Sequence, residues 1–285
     1  MLVQNQVPQL LQNTAQKLGE FWHAKNYQSA SPIDLEVGAG TSHWRTFFQA
    51  VSKTNCNIIY PQPSRRPKDS RFSCKQDRLY LHTQFQVIMR PIPNTLLFTY
   101  FNSLRAIGLE LKGTEIKLIE DCWSNPTLGA YGTGWEVTID GQEITQITFF
   151  QRMGGLTCYP RLGEVAYGLD RIVANLPTSS RCEIEPKQPN LEGAFERENS
   201  FYSLNYTNNS FLRMLFKLLG VEVSNLIKNG FVMPSYELLL KMCHTFNLLV
   251  ARGNFLYAER LLCCSTMRSY ANLIAKLHRT KCFGI

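Results

Sequence analysis

Asp140-Gly141 is the tightest constraint on how this chain can fold. Asp-Gly readily takes positive φ at both central positions of a two-residue turn, and that twist suits two antiparallel strands. Residues 135–139 lead into it and residues 143–150 leave it, both reading as strands. Further strands are expected at 57–60, 84–89 and 115–120. Helical spacing of apolar residues marks 8–25 and 95–107, the latter closed by Gly108, and a third helix is read over 163–176. An alternating parallel pattern is absent. The fold class is α+β: an antiparallel sheet with helices on one side. Beyond residue 176, prolines and small polar residues read as a linker, and from about 210 the pattern is helical. The division expected is a strand-rich domain over 1–178, a linker over 179–200 and a helical domain over 201–285.

Composition narrows the function. A chain of 285 residues, 44% of them hydrophobic, can bury a sizeable core. Its net charge is +8, and 241–285 alone holds seven Lys or Arg against one acid, Glu259. Nucleotide or nucleic acid is the partner class such charge favours. The nine cysteines contain no Cys-x-x-Cys pair and have only five histidines beside them. That argues against zinc and for reduced thiols in the cytosol. No apolar run reaches transmembrane length.

The chemistry concentrates in a few places. Arg65 and Arg66 sit between Pro63 and Pro67, which stiffen the loop and pre-organise two guanidiniums for phosphate. Arg78 lies at the far end of that loop. Phe85 follows on a strand, flanked by Gln84 and Gln86 on the opposite face. It is either a core ring or a stacking surface for a base. Glu120, Trp123, Trp135, Glu136 and Gln146 cluster around the next strands, where the carboxylates and the amide are candidates for holding a magnesium ion or an ammonium group. Arg171 follows a glycine in the expected third helix, where it would either reach a phosphate or pair with Glu164 or Asp170.

Together these stretches resemble the alpha subunit of the bacterial heterotetrameric glycyl-tRNA synthetases, which are class II aminoacyl-tRNA synthetases. The resemblance is carried by Pro32-Ile33-Asp34-Leu35-Glu36-Val37-Gly38-Ala39-Gly40-Thr41-Ser42-His43, Gln62-Pro63-Ser64-Arg65-Arg66-Pro67 and Gln84-Phe85-Gln86-Val87. Asn125-Pro126-Thr127-Leu128-Gly129-Ala130, Gly134-Trp135-Glu136-Val137, Tyr167-Gly168-Leu169-Asp170-Arg171 and His244-Thr245-Phe246-Asn247-Leu248-Leu249 extend it over nearly the whole chain. Residues 70–77 depart from the family's loop, and Asp170 stands where Glu is usual.

The resemblance implies a class II sheet that carries adenylation, followed by an all-helical C-terminal domain. It implies ATP as substrate with Mg2+. Arg65 or Arg66 would contact the alpha-phosphate, Arg171 the gamma-phosphate, and Phe85 would stack on adenine. Arg78 would contact ATP. Gln84, Gln86, Glu120, Trp123, Trp135, Glu136 and Gln146 would serve the amino acid, with Glu120 and Glu136 on the metal. It further implies a cytoplasmic glycine–tRNA ligase acting on tRNA(Gly), with a beta subunit and an alpha dimer inside an α2β2 tetramer. Another acyl-adenylate-forming ligase, or a tRNA-binding relic without turnover, would be the alternatives.

Overall fold

A computed structural model describes residues 6–69, 79–176, 191–253 and 255–284. Seven strands form one sheet: β1 (Gln28–Ser29), β2 (Cys56–Arg65), β3 (Leu81–Arg90), β4 (Ile116–Asn125), β5 (Ala130–Ile139), β6 (Gln142–Met153) and β7 (Leu156–Gly168). Their order is β1-β2-β3-β7-β6-β5-β4, and every pair except β1–β2 is antiparallel. The Asp140-Gly141 turn joins β5 to β6, with φ of 47° and 80° at its two residues.

Alternation along the strands divides the core in two. Phe85, Val87, Met89, Val165 and Tyr167 point to one face, packed with Leu18 and Trp22 of α1 (Gln6–His23), Tyr100 and Leu104 of α3 (Leu96–Ala106) and Ile172 of α4 (Leu169–Ala174). Tyr60, Ile88, Phe150 and Leu162 point to the other. There they meet Phe47 and Phe48 of α2 (Trp44–Val51), Tyr236 and Leu239 of α7 (Val232–Arg252), and Met267, Ala271 and Ile274 of α8 (Tyr257–Phe283). Helices therefore cover both faces, not one as expected from sequence. The C-terminal helices share a core with the sheet. Side chains of α8 also grip backbone carbonyls beneath it: Arg268 Nε donates to Pro126 O, Asn272 Nδ2 to Gly154 O and Arg279 Nε to Val51 O, at 3.0, 2.8 and 2.8 Å.

Two local expectations change. The helix expected over 163–176 is strand as far as Gly168 and helix only from Leu169 to Ala174. Residues 163–168 lie between β3 and β6 and take ladder partners on both sides, so tertiary pairing overrides local propensity. Gly132-Thr133-Gly134 lies inside β5 although two of its three residues are glycine. A Cβ on Gly134 would sit 2.0 Å from Ile147 O, so only glycine permits this approach. The expected linker is helical in its last part, where α5 spans Leu191–Phe201. Residues 179–190 lie outside the described residues. A π-helical turn (Tyr202–Tyr206) and α6 (Asn209–Lys228) follow α5.

Arg90 is the largest charged group in the core, 1% exposed at the end of β3. Its Nη1 donates to the carbonyls of Gln49, Ser52 and Thr54 at 3.0, 2.8 and 3.1 Å, closing the C-terminal end of α2. Arg90→Leu should cost about 3 kcal/mol or more, because buried carbonyls lose their donor. Urea unfolding measures this, and an unchanged midpoint would show that α2 is held elsewhere.

Candidate active site

One half of the α2/α7/α8 face stays open above those helices. Register places the side chains there in rows across the sheet. Tyr60, Gln86, Ala166, Gln146 and Glu136 form one row. Ile88, Glu164, Thr148, Gly134 and Asp121 form the next, deeper under the helices. Gln84 and Gly168 lie above, toward the rim.

The rim holds the cations. A cleft there is lined by Arg66, His82, Gln84, Glu143, Gln146, Gly168, Asp170 and Arg171, among others. Arg66 Nε donates to Gly38 O at 3.0 Å, and its Nη1 lies 3.9 Å from Asp69 Oδ2. Arg171 Nη1 donates to Glu143 Oε2 and Glu143 O at 2.8 and 2.9 Å. Burial first, then the charges of Arg66 and Arg171, push His82 down to about 3. Two guanidiniums thus converge on a neutral imidazole, in a cleft suited to a polyanion.

The floor holds a carboxyl group. Glu164 is 1% exposed, and burial pushes it up to about 8. Thr41 Oγ1 donates to Glu164 Oε2 at 2.6 Å, while Oε1 has no hydrogen-bond partner. Gln86 Oε1 and Nε2 and Thr148 Oγ1 are likewise buried and unpartnered. A buried polar group costs free energy until something bonds to it. Four such atoms lie on adjoining strands of one face, next to the cleft-lining Gln146 and Ala166. Thr41 is delivered by a 3₁₀ turn (Gly40–Ser42), and Gly40 N donates to Gln84 Oε1 at 2.8 Å. A Cβ on Gly40 would come within 2.2 Å of Gln86 Nε2.

The sheet sorts the residues expected from sequence. Arg66, Gln84, Gln146 and Arg171 line the cleft together, while Gln86, 0% exposed, and Glu136 share that face of the sheet without lining the cleft. Trp123 shares that face, one row below Glu164, edge-on to Phe150. Arg65 turns aside, its Nη1 3.6 Å from Glu36 Oε1. Phe85 is 3% exposed in the opposite layer, edge-on to Tyr167. With both glutamines on that face, a period of two sends the intervening ring into the core, where no base can reach it. Glu120 pairs with Trp135 in register, so both face away from Glu136. Trp135 packs edge-on against Phe149. Glu120 and Glu136 cannot share a metal ion, and Trp123 and Trp135 lie on opposite faces. Arg78 lies outside the described residues.

Sequence reasoning missed Thr41, His82, Glu143, Thr148 and Glu164. A strand reading of 163–168 would have exposed Glu164, which then alternates with Ala166 onto the glutamine face. Among the described residues, no group of three or more His, Cys, Asp or Glu side chains is disposed to hold a metal ion. Glu136 is nonetheless raised by burial, then by Glu143 and Asp121, so carboxylates crowd beside Arg171. Among the described residues, no helix is long and apolar enough to cross a membrane.

Comparison with known proteins gives this arrangement its context. The family model described as glycyl-tRNA synthetase alpha subunit matches residues 11–282. Among solved structures, the chain is similar to PylSc of Desulfitobacterium hafniense, a pyrrolysyl tRNA synthetase, with 12% identity and a TM-score of 0.38 over 61% of this chain and 71% of that one. The family match spans both the rim and the floor of the cleft, and by it the chain belongs to the glycyl-tRNA synthetase alpha subunit family, whose aminoacyl-tRNA (glycine–tRNA) ligase activity uses ATP and involves tRNA and a beta subunit.

Proposed function

We propose that the rim of the cleft binds the ATP triphosphate and that its floor binds glycine. The observation that carries this reading is the unpartnered Glu164 Oε1, beside Gln86 and Thr148 and one row deeper in the sheet than Gln146 and Ala166, which line the cleft together with Arg66 and Arg171. Arg66 takes the alpha-phosphate, where charge develops as the glycine carboxylate attacks phosphorus and pyrophosphate leaves. Arg171 exchanges its contact with Glu143 for the gamma-phosphate. Gln86 and Thr148 orient the amino acid, and the Glu164 carboxylate receives its ammonium group. The terminal ribose hydroxyl of tRNA(Gly) then takes the glycyl group from the adenylate.

Magnesium is a hard cation that keeps waters and shares phosphate oxygens, so one or two carboxylates suffice to hold it. Glu136 and Glu143 are the residues that would do so, and the ion would neutralise charge on the departing pyrophosphate. The alpha chain is proposed to work as a dimer within an α2β2 tetramer.

Specificity for glycine follows from a closed floor. Gln86 and Thr148 are 0% exposed, and a Cβ on Gly40 would come within 2.2 Å of Gln86 Nε2, so a side chain larger than hydrogen would meet close-packed walls. Trp135 takes no part, being on the other face. Trp135→Ala should therefore lower stability by about 2 kcal/mol through lost packing yet leave alanine rejected. An alanine-accepting variant would place Trp135 at the glycine pocket.

Glycine-dependent ATP–pyrophosphate exchange tests the whole reading, with and without the beta partner and with alanine and serine as controls. Exchange with glycine alone is expected. Its absence with the beta chain present would overturn the assignment of the floor.

A further inference from the structure

The start of β3 raises a question of hydrogen-bond supply. Its pairing with β7 begins only at Gln84–Gly168, because β7 ends there and the chain turns into α4. Residues 80–83 therefore lie beyond the reach of that ladder, just where the chain re-enters the sheet beside the cleft. Two carboxylates supply the missing acceptors. Asp170 Oδ2 accepts from Thr83 N at 2.7 Å. Glu196 Oε1 accepts from Tyr80 N at 2.5 Å, and its Oε2 from Leu81 N at 3.4 Å.

Glu196 is remote in sequence from everything else at the site. It stands on α5, which leads into the C-terminal helices. The ring of its neighbour Phe195 packs near that of Tyr80, centroids 6.4 Å apart. On the other side of Tyr80, its carbonyl accepts from Arg66 N at 2.7 Å. A continuous path thus runs from α5 through Tyr80 to the backbone of Arg66.

We propose that Glu196 is a positioning residue for the nucleotide: α5 clamps the start of β3 and, through Tyr80, sets where Arg66 stands in the cleft. This rests on the reading of Arg66 as a phosphate ligand. The clamp acts on the rim alone, since the glycine floor is built from Thr41, Gln86, Thr148 and Glu164, none of which bonds to Tyr80.

The test is ATP–pyrophosphate exchange by the full alpha chain with its beta partner, with KM for ATP and for glycine measured separately. Glu196→Ala is expected to raise the ATP KM about ten-fold, because small displacements of a phosphate ligand are costly, while the glycine KM stays within two-fold, roughly. Glu196→Gln keeps a carbonyl oxygen for the Tyr80 N–H and should recover most of the loss. An unchanged ATP KM in Glu196→Ala would overturn the proposal, as would equal rises in both KM values or a Gln variant as impaired as Ala. If the Ala variant does not fold, Glu196→Asp, too short to reach both amides, takes its place with the same expectations. Arg66→Ala separates the two layers of the argument. If it leaves the ATP KM unchanged, the reading of Arg66 fails. If it raises the ATP KM and Glu196→Ala does not, only the clamp fails.

Discussion

Glu164→Gln is expected to abolish glycine-dependent exchange and the proton release that accompanies glycine binding. The carboxyl group is buried one row deeper than the cleft-lining Gln146 and Ala166, 1% exposed, with one oxygen bonded to Thr41 and the other unpartnered. Burial pushes it up to about 8, so without ligand it is mostly neutral at pH 7. An ammonium group arriving at the free oxygen stabilises the carboxylate and lowers the pKa. Glycine binding at pH 7 should therefore release close to one proton, read by calorimetry in buffers of different ionisation enthalpy.

The amide cannot ionise, so the variant should release none. Leaving the buried ammonium without its counter-charge costs about 3–5 kcal/mol, about two to four powers of ten in exchange rate at fixed glycine. Stability gives an independent check. The folded pKa lies above the ordinary carboxyl value of 4.5. The contribution is therefore fully present below that value and is lost as pH rises through about 8. The ligand-free wild type should lose stability over that window, and Glu164→Gln should be flatter there. Equal proton release by both proteins would sink the assignment.

Arg171→Ala should lower kcat/KM for ATP by about 10²–10³ while leaving the glycine KM nearly unchanged. In the ligand-free protein Arg171 holds Glu143 at 2.8 Å, with their side chains 27% and 39% exposed. A pair that open contributes at most about 1 kcal/mol to folding. The large effect is thus confined to the nucleotide. Loss of this guanidinium also removes one of the two charges depressing His82, whose pKa should rise, as NMR titration would show. Arg171→Lys keeps the charge without the planar fork and should fall between the two. A variant with wild-type ATP kinetics would remove Arg171 from the site.

Much of this protein is decided by local chemistry. Asp140-Gly141 allows only a tight antiparallel turn, and β5–β6 follows from it. The period of two at Gln84-Phe85-Gln86 already separates the ring from the amides. Arg66 and Arg171 are recognisable because their neighbours form long ordered motifs. What local chemistry cannot reach is which face of the sheet lies open. Residues 163–168 pass for helix until two neighbouring strands claim them, and only then does Glu164 join the glutamine side. Glu120 and Glu136 look like partners in sequence, but strand pairing directs them to opposite faces. Glu196 carries no local signal, since its role depends on amides 115 or more residues away that a ladder leaves unpaired. Propensity and turn chemistry act over a few residues, whereas burial and facing are properties of the assembled sheet. The Asp140-Gly141 hairpin was therefore set by sequence, and the facing of Glu164 and the contact of Glu196 with Tyr80 by the tertiary structure.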